Sequence, residues 1–159
     1  MKELKIRWQR LLNEADQTCP RCGTTEVEVE KAIDLLRQSM KPLGVAVLLE
    51  KEALSPEMFA AAPLESNRIW VGGAPIEWWL AATSGQSQCC DACGDADCRT
   101  MTVDGKTYEA IPAELIVKAG LLAAARLLQG EPDSGCCGTP GAATPARGTA
   151  LPGSGCGCG

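Results

Sequence analysis

The chain has 159 residues, ten cysteines and no histidine. This length suits one domain with a buried core. The absence of histidine excludes Ser-His and Cys-His nucleophilic systems and every His-ligated metal site. The net charge is −5, from 20 acidic and 15 basic residues. With no basic stripe we expect no nucleic-acid binding, because phosphate contacts need clustered Lys and Arg. Because the chain has no histidine, a metal site must depend on cysteine, helped at most by Asp or Glu.

Hydropathy predicts where the protein resides. Residues 1–10 alternate charged and apolar side chains and lack the apolar stretch of a signal peptide. No window approaches the roughly 18 apolar residues of a membrane span. We expect a cytoplasmic protein without membrane contact, in which cysteines are metal ligands or redox thiols more often than disulfides. The expected partners are a metal ion or a thiol/disulfide protein, and the sequence leaves the oligomeric state open.

The first predicted elements form a strand–helix–strand unit. Alternation near the N-terminus predicts a half-buried strand, whose apolar residues are Leu4, Ile6 and Trp8. Apolar steps of three and four then predict an amphipathic helix, whose apolar residues are Val29, Ile33, Leu36, Met40 and Leu43. The apolar run over residues 44–49 predicts a buried strand. This order predicts a right-handed βαβ unit with two parallel strands.

Shorter elements are predicted for the rest of the body. They are a helix capped by Ser55, a strand over 68–71, a helical turn over 77–82, strands over 99–103 and 106–111, and a helix over 113–128. Asp104-Gly105 is typical of a type I′ hairpin turn. Gly120 is expected to weaken the last helix by about 1 kcal/mol relative to alanine. Gly130 suits the position just after that helix.

The first cysteine motif, CPRCG, contains Cys19 and Cys22 and lies between the first strand and the first helix. In a redox interpretation, the helix N-terminus stabilises a thiolate, and the arginine of the motif adds positive charge. In a metal interpretation, the motif is a knuckle whose two sulfurs reach one ion, and Gly23 permits the tight turn. Thr25 and Glu28 fit a capping box that starts the helix a few residues after Cys22, which favours the knuckle.

A second motif, CCDACGDADC, holds four further cysteines, and its inner CxxCG repeats the first motif. Two CxxC pairs permit a four-sulfur site if the fold joins them, with Cys19, Cys22, Cys90 and Cys93 as the first-choice ligands. Zinc ribbons separate such pairs by only about 15–20 residues. A site formed by the four cysteines of the second motif alone therefore stays an open alternative. Its three aspartates are expected to raise thiol pKa values, which favours metal ligands over a low-pKa nucleophile.

The C-terminal segment 130–159 is rich in glycine, proline and cysteine and poor in bulky apolar residues. We predict a disordered tail, because so little apolar surface cannot offset the entropy of ordering the chain. Thiolates prefer soft ions such as Cu(I), so its cysteines are candidates for capturing an ion. These tail thiols are Cys136, Cys137, Cys156 and Cys158. A labile disulfide between the two adjacent cysteines and a tail without a role are the alternatives.

Three stretches of the chain resemble an uncharacterised family of small cysteine-rich prokaryotic proteins. They are CPRCG from Cys19, PLESNRIW from Pro63 and CCDACGD from Cys89. That family is assigned a thioredoxin-like fold and has no established activity. The order of the predicted elements over residues 3–128 is similar to that fold. The resemblance therefore implies a fold and leaves the function open.

Carried over to this chain, the thioredoxin-like resemblance implies Cys19 as the attacking thiol and Cys22 as the resolving thiol. Two positions depart from the pattern. Asn67 stands where thioredoxin-like oxidoreductases have a cis-proline, and Gly23 directly after the CxxC is atypical. The stretch containing the second motif has no role to inherit from the resemblance.

The sequence thus predicts one α/β, thioredoxin-like domain over residues 1–129 and a disordered tail over 130–159. The favoured hypothesis is a thiol-based metal or metalloid binding protein that takes zinc or a softer thiophilic ion. Its candidate ligands are Cys19, Cys22, Cys89, Cys90, Cys93 and Cys98. The alternative is a thiol–disulfide oxidoreductase that uses Cys19 and Cys22 and needs no cofactor. A third hypothesis is an iron–sulfur cluster on the same cysteines.

Overall fold

The computed structural model describes residues 1–89 and 91–130, which form a mixed α/β structure. The strands are β1 (Lys2–Leu11), β2 (Val45–Leu54), β3 (Arg68–Val71), β4 (Ala74–Pro75), β5 (Thr83–Gln88), β6 (Asp97–Val103) and β7 (Lys106–Tyr108). The helices are α1 (Pro20–Met40), α2 (Pro56–Ala61), α3 (Ile76–Leu80) and α4 (Ala113–Gln129). The predicted tail beyond Gly130, with its four cysteines, lies outside the described residues. Across the described part of the chain, no helix is both long and apolar enough to span a membrane.

The first sheet has the strand order β2-β1-β3-β4. β1 and β2 are parallel and are joined by α1, which confirms the predicted βαβ unit. β3 is antiparallel to β1, and β4 is antiparallel to β3. β2 extends beyond the predicted run over 44–49, because its polar half pairs with the charged half of β1. Two cross-strand ion pairs lie there, Lys5–Glu50 at 3.1 Å and Arg7–Glu52 at 3.5 Å.

The second sheet has the order β5-β6-β7, and all of its pairings are antiparallel. Asp104 and Gly105 have φ values of 50° and 79°, which confirms the predicted type I′ turn between β6 and β7. β5 was not predicted, because its sequence TSGQSQ has no alternating apolar pattern. It is a strand because it pairs along its whole length with β6.

The core lies between the first sheet and the two long helices. α1 buries one face along its whole length, formed by Cys22, Thr25, Val29, Ala32, Ile33, Leu36 and Met40. α4 meets α1 at Gly120, where a Cβ atom would lie 2.6 Å from Cδ1 of Leu36. The glycine that the sequence suggested as a weakness of α4 therefore permits the close approach of the two helices.

Candidate functional site

The CxxC motif lies at the N-terminus of α1. The helix begins at Pro20, and Cys19 is its N-cap with extended backbone, φ −70° and ψ 160°. Gly23 N donates to Cys19 O at 2.8 Å, which closes the first helical turn. Cys22 is thus inside the first turn, and its side chain is buried. The redox interpretation of the motif expected this geometry.

The predicted capping box at Thr25 and Glu28 was wrong. Both residues lie within α1, where Thr25 accepts from a backbone N–H just before α4 and Glu28 accepts from the first N–H of α4. Oγ1 of the fully buried Thr25 accepts from Ile111 N at 3.2 Å, and Oε2 of Glu28 accepts from Ala113 N at 2.9 Å. Continuing the apolar spacing of α1 toward the N-terminus could have revealed the earlier helix start, because Cys22 and Thr25 extend the apolar stripe of the helix by one turn. The earlier helix start removes the argument that favoured the knuckle.

The second sheet brings its cysteines against this helix end. Cys89 follows β5, and Cys93 lies in a short 3₁₀ turn before β6. Sγ of Cys19 lies 3.8 Å from Sγ of Cys89. The sulfur atoms of Cys19, Cys89 and Cys93 all lie within 4.8 Å of one another. Cysteines far apart in sequence therefore form one thiol cluster, defined here as Cys19, Cys89 and Cys93.

The remaining predicted ligands occupy different positions. Cys98 on β6 is 1% exposed and borders the thiol cluster, since its thiol interacts with those of Cys89 and Cys93. Cys22 is beside Cys19 but is not a member of the cluster. Cys90, a first-choice ligand from the sequence, lies outside the described residues. The four-sulfur set of two CxxC pairs remains a prediction.

Arg21, inside the CxxC motif, links α1 to the second sheet through hydrogen bonds and an ion pair. Its side chain is 8% exposed, and its Nη2 lies 3.0 Å from Oε1 of Glu109. The guanidinium also donates to Ser87 Oγ at 3.1 Å, to Gln88 O at 3.0 Å and to Cys98 O at 3.4 Å. The sequence suggested that this arginine adds positive charge beside a thiolate. The structure shows that it holds the cysteine-bearing strands in place.

Ser66 and Asn67 lie on the other side of the CxxC. Oγ of Ser66 is 3.6 Å from Sγ of Cys22 and accepts from Leu11 N at 3.1 Å. Asn67 has φ 58°, and no peptide bond among the described residues is cis. Its Oδ1 accepts from Trp8 Nε1 at 3.3 Å. Ser66 is a site residue that sequence reasoning missed, because only the chain crossing at β3 brings it to Cys22.

The environment of Cys19 favours its thiolate and lowers its pKa to about 4. Hydrogen bonding by the Cys22 thiol is the largest cause. Burial opposes it, and the Cys22 backbone N–H and the thiols of Cys89 and Cys93 lower the pKa further. The same interaction raises the pKa of Cys22, helped by burial and by the negative charge on Cys19. One thiol of the pair is therefore ionised at neutral pH, and the other keeps its proton.

The two cysteines nearest β6 have raised pKa values. Burial is the largest cause for both Cys93 and Cys98, and hydrogen bonding with Cys89 also raises both values. All causes together raise the pKa of Cys98 to about 12. The sequence expected raised values from nearby aspartates, whereas burial is the leading cause. A coordinated cation would reverse this preference, because a thiol that binds a metal loses its proton.

A groove of about 530 Å³ leads to Cys93. Its other walls come from the end of β1, the loop after it and α2, and are formed by Leu11, Asn13, Glu14, Ala15, Pro56 and Phe59. The groove reaches the thiol cluster from the side of Cys93. A small ion or a small molecule can therefore approach the cluster although its sulfur atoms are mostly buried.

Comparison with known proteins places the chain in a family without assigning an activity. A relative from Archaeoglobus fulgidus, described as an uncharacterized protein, is 40% identical over 114 residues, which cover 72% of this chain and 82% of the relative. No solved structure matches the chain, and the thioredoxin-like fold remains a prediction. The model of a family described as a domain of unknown function, DUF2703, matches residues 4–120. The chain belongs to the DUF2703 family.

Proposed function

We propose that this protein binds zinc or a softer thiophilic metal or metalloid ion through Cys19, Cys89 and Cys93. The observation that carries the proposal is the meeting of three sulfur atoms within 4.8 Å, contributed by the end of α1 and by the segment between β5 and β6. Thiolates are soft ligands that select zinc and softer ions. The absence of histidine from the chain leaves cysteine as the main soft donor.

The spacing within the thiol cluster suits one ion. With a Zn–S bond of about 2.3 Å, two sulfurs of a tetrahedral site lie about 3.8 Å apart. The Sγ atoms of Cys19 and Cys89 are 3.8 Å apart. Closing the third sulfur onto the same ion requires at most about an ångström of movement, judged from that ideal spacing. We propose Cys98, which borders the cluster, as the fourth donor for an ion that demands four.

The protonation states of the cluster thiols set how binding depends on pH. Cys19, with a pKa of about 4, supplies a thiolate at neutral pH before the ion arrives. The raised pKa of Cys93 means that its proton leaves only when the ion binds. We therefore expect proton release on binding and an affinity that falls as the pH is lowered. The reducing cytoplasm that we expect for this protein would keep these thiols available.

The test is metal analysis and Cd²⁺ titration of the full-length chain, purified without oxygen. Cd²⁺–thiolate charge-transfer absorption reports how many sulfurs bind. Cys89→Ser and Cys93→Ser are each expected to weaken binding by more than the 10–100-fold typical of losing a group that supports a ligand. Cys22→Ser is the matched control, because Cys22 is next to Cys19 but outside the cluster. A serine hydroxyl can still donate to Cys19, so its loss of affinity should be much smaller than that of Cys89→Ser or Cys93→Ser.

The tail thiols need their own control. The same titration is made on a full-length variant in which Cys136, Cys137, Cys156 and Cys158 are replaced by serine. The proposal requires this variant to keep its tight site. Tight binding that disappears with the tail cysteines, or that survives both Cys89→Ser and Cys93→Ser, would contradict it.

We propose a second candidate, thiol–disulfide exchange, because Cys19 is the N-cap of α1 with Cys22 within the first turn. The Cys19 thiolate would attack one sulfur of a partner disulfide and displace the other as a thiolate. Cys22 would then attack Cys19, form the Cys19–Cys22 disulfide and release the second partner thiol. A turnover assay with a protein disulfide and dithiothreitol tests this. Full activity in Cys19→Ser would exclude it.

A further inference from the structure

Cys19 takes part in two arrangements at once. Toward the second sheet it belongs to the thiol cluster with Cys89 and Cys93. Along its own helix it forms the CxxC pair with Cys22, whose thiol hydrogen-bonds with it. A sulfur in a disulfide no longer has the thiolate charge that a metal ion requires of its ligand. The two arrangements therefore compete for one sulfur atom.

We infer that ion binding at the thiol cluster and a Cys19–Cys22 disulfide exclude each other, so that oxidation of the CxxC by a disulfide compound releases the ion. This inference rests on the proposed ion binding. It gives Cys22, which lies outside the cluster, a function as the thiol that removes Cys19 from the ion.

The position of Cys22 supports this division of roles. It is buried, and Ser66 Oγ, just before β3, lies 3.6 Å from its sulfur. Ser66 is itself held by the hydrogen bond from Leu11 N. Cys22 is therefore kept beside Cys19 and apart from the three clustered sulfurs.

The step balances with a disulfide as the oxidant. The Cys19 thiolate attacks one sulfur of the oxidant RSSR, forms a mixed disulfide and displaces RS⁻. Cys22 loses its proton to solvent and attacks Sγ of Cys19, which forms the Cys19–Cys22 bond and releases the second RS⁻. Two protein thiols are oxidised by two electrons, and one disulfide is reduced to two thiols. The ion dissociates, because only two thiols of the cluster, Cys89 and Cys93, can still bind it.

Exclusion has a reciprocal consequence. An ion that binds only the reduced protein stabilises the reduced form. For this two-electron couple, each tenfold excess of free ion over its dissociation constant raises the midpoint reduction potential by about 30 mV, which makes the dithiol harder to oxidise. A bound ion should therefore protect the CxxC from oxidation.

The test uses the full-length variant with its four tail cysteines replaced by serine. Cd²⁺ binding is measured on the reduced protein and again after treatment with oxidised dithiothreitol and desalting. This cyclic reagent leaves a stable product only where a second protein thiol completes the exchange. Mass spectrometry should map a Cys19–Cys22 disulfide, and Cd²⁺ affinity should fall by more than the 10–100-fold typical of losing a group that only supports a ligand. A phosphine reductant should restore it.

Adding Cys22→Ser separates this inference from the proposed function. The reduced Cys22→Ser protein should bind Cd²⁺, and the oxidant should leave that binding intact. Failure of every reduced form to bind Cd²⁺ would refute the proposed function itself. Three results would overturn the mutual exclusion but leave the proposed ion binding intact. They are tight Cd²⁺ binding by the oxidised parent, an equal loss of Cd²⁺ binding in oxidised Cys22→Ser, and a mapped Cys19–Cys89 disulfide.

A second measurement avoids dependence on the folding of Cys22→Ser. The rate of CxxC oxidation is followed in the parent protein with and without saturating Cd²⁺. The expected result is strong slowing by the ion. An unchanged rate would overturn the inference.

Discussion

The two sides of the thiol cluster are held in different ways. Cys19 lies at the end of a helix that is packed along its length, with Val29, Ile33 and Leu36 at most 2% exposed. Cys89 and Cys93 follow β5, most of whose side chains are exposed. Apolar packing holds the first side. The second side packs in the core through β6, where Cys98, Met101 and Val103 are buried, and it has a polar attachment as well.

That attachment includes two arginines. Arg21 joins α1 to the ends of β5 and β6 through the bonds described above. Arg99 on β6 donates to Glu77 Oε1 through Nη2 at 2.6 Å and through Nε at 3.0 Å, and to Leu64 O at 3.0 Å. Both guanidinium groups are largely buried, where such hydrogen bonds are directional and strong. The comparison teaches that core packing alone holds Cys19, whereas the segment with Cys89 and Cys93 depends on polar docking in addition to the packing of β6.

The largest expected effect is a loss of Cd²⁺ affinity when the polar docking by Arg21 is removed. Arg21→Met keeps the apolar part of the side chain but removes every donor to the second sheet. We expect Cd²⁺ affinity to fall about 10–100-fold, as for other groups that position metal ligands. Arg21→Lys should give an intermediate loss, because an ammonium lacks the planar fork of the guanidinium. Cd²⁺ titration against a competing chelator measures both.

Arg37→Met is the matched control for Arg21. Arg37 is on the same helix, but among the residues that the structure describes its side chain bonds only to Val47 O at 3.2 Å and Asp34 at 3.8 Å. Its replacement should leave Cd²⁺ affinity unchanged. An equal loss in both variants would mean that helix α1 as a whole, rather than docking by Arg21, sets the affinity.

The next largest effect is on the free energy of unfolding, and it tests the packing around α1 through two glycines that lie in helices. A Cβ at Gly120 would meet the buried Leu36, whereas a Cβ at Gly23 would have only Thr18 Cγ2 at 3.9 Å. Gly120→Ala should lower the free energy of unfolding by about 1–2 kcal/mol, because overpacking exceeds the gain in helix propensity. Gly23→Ala should raise it by about 0.5–1 kcal/mol. Urea unfolding measures both, and equal shifts of the same sign would contradict the close approach of α1 and α4.

The smallest effect is a pH dependence at the junction of α1 and α4. Hydrogen bonding by Lys31, followed by the backbone N–H of Ala113, holds the pKa of Glu28 below its ordinary value of 4.5. A carboxyl with a lowered folded-state pKa stabilises the protein above its unfolded pKa, and that stability is lost as the pH falls through the folded value. Glu28→Gln should therefore reduce stability near neutral pH and lessen the loss below about pH 4.5. Parallel acid-unfolding curves for the two proteins would refute this role.

Regular patterns made most of the fold predictable. Alternation in β1, helical spacing in α1 and the Asp104-Gly105 turn each depend on neighbours in sequence, and each prediction was confirmed. The capping box failed because Thr25 and Glu28 accept hydrogen bonds from backbone N–H groups more than eighty residues away along the chain, just before and at the start of α4. β5 was missed because its strand conformation comes from pairing with β6. Local patterns cannot report hydrogen bonds made across the fold.

The sequence by itself determined that any site in this protein is a sulfur site, and it named the cysteines that could build it. Only the tertiary structure decided which of them meet, because Cys19 and Cys89 are brought to 3.8 Å by the docking of the second sheet on α1. It also decided that the CxxC caps a helix and that Cys22 lies apart from the clustered sulfurs. Residue types determine which chemistry is available, whereas chain crossings and buried hydrogen bonds determine which groups share a site.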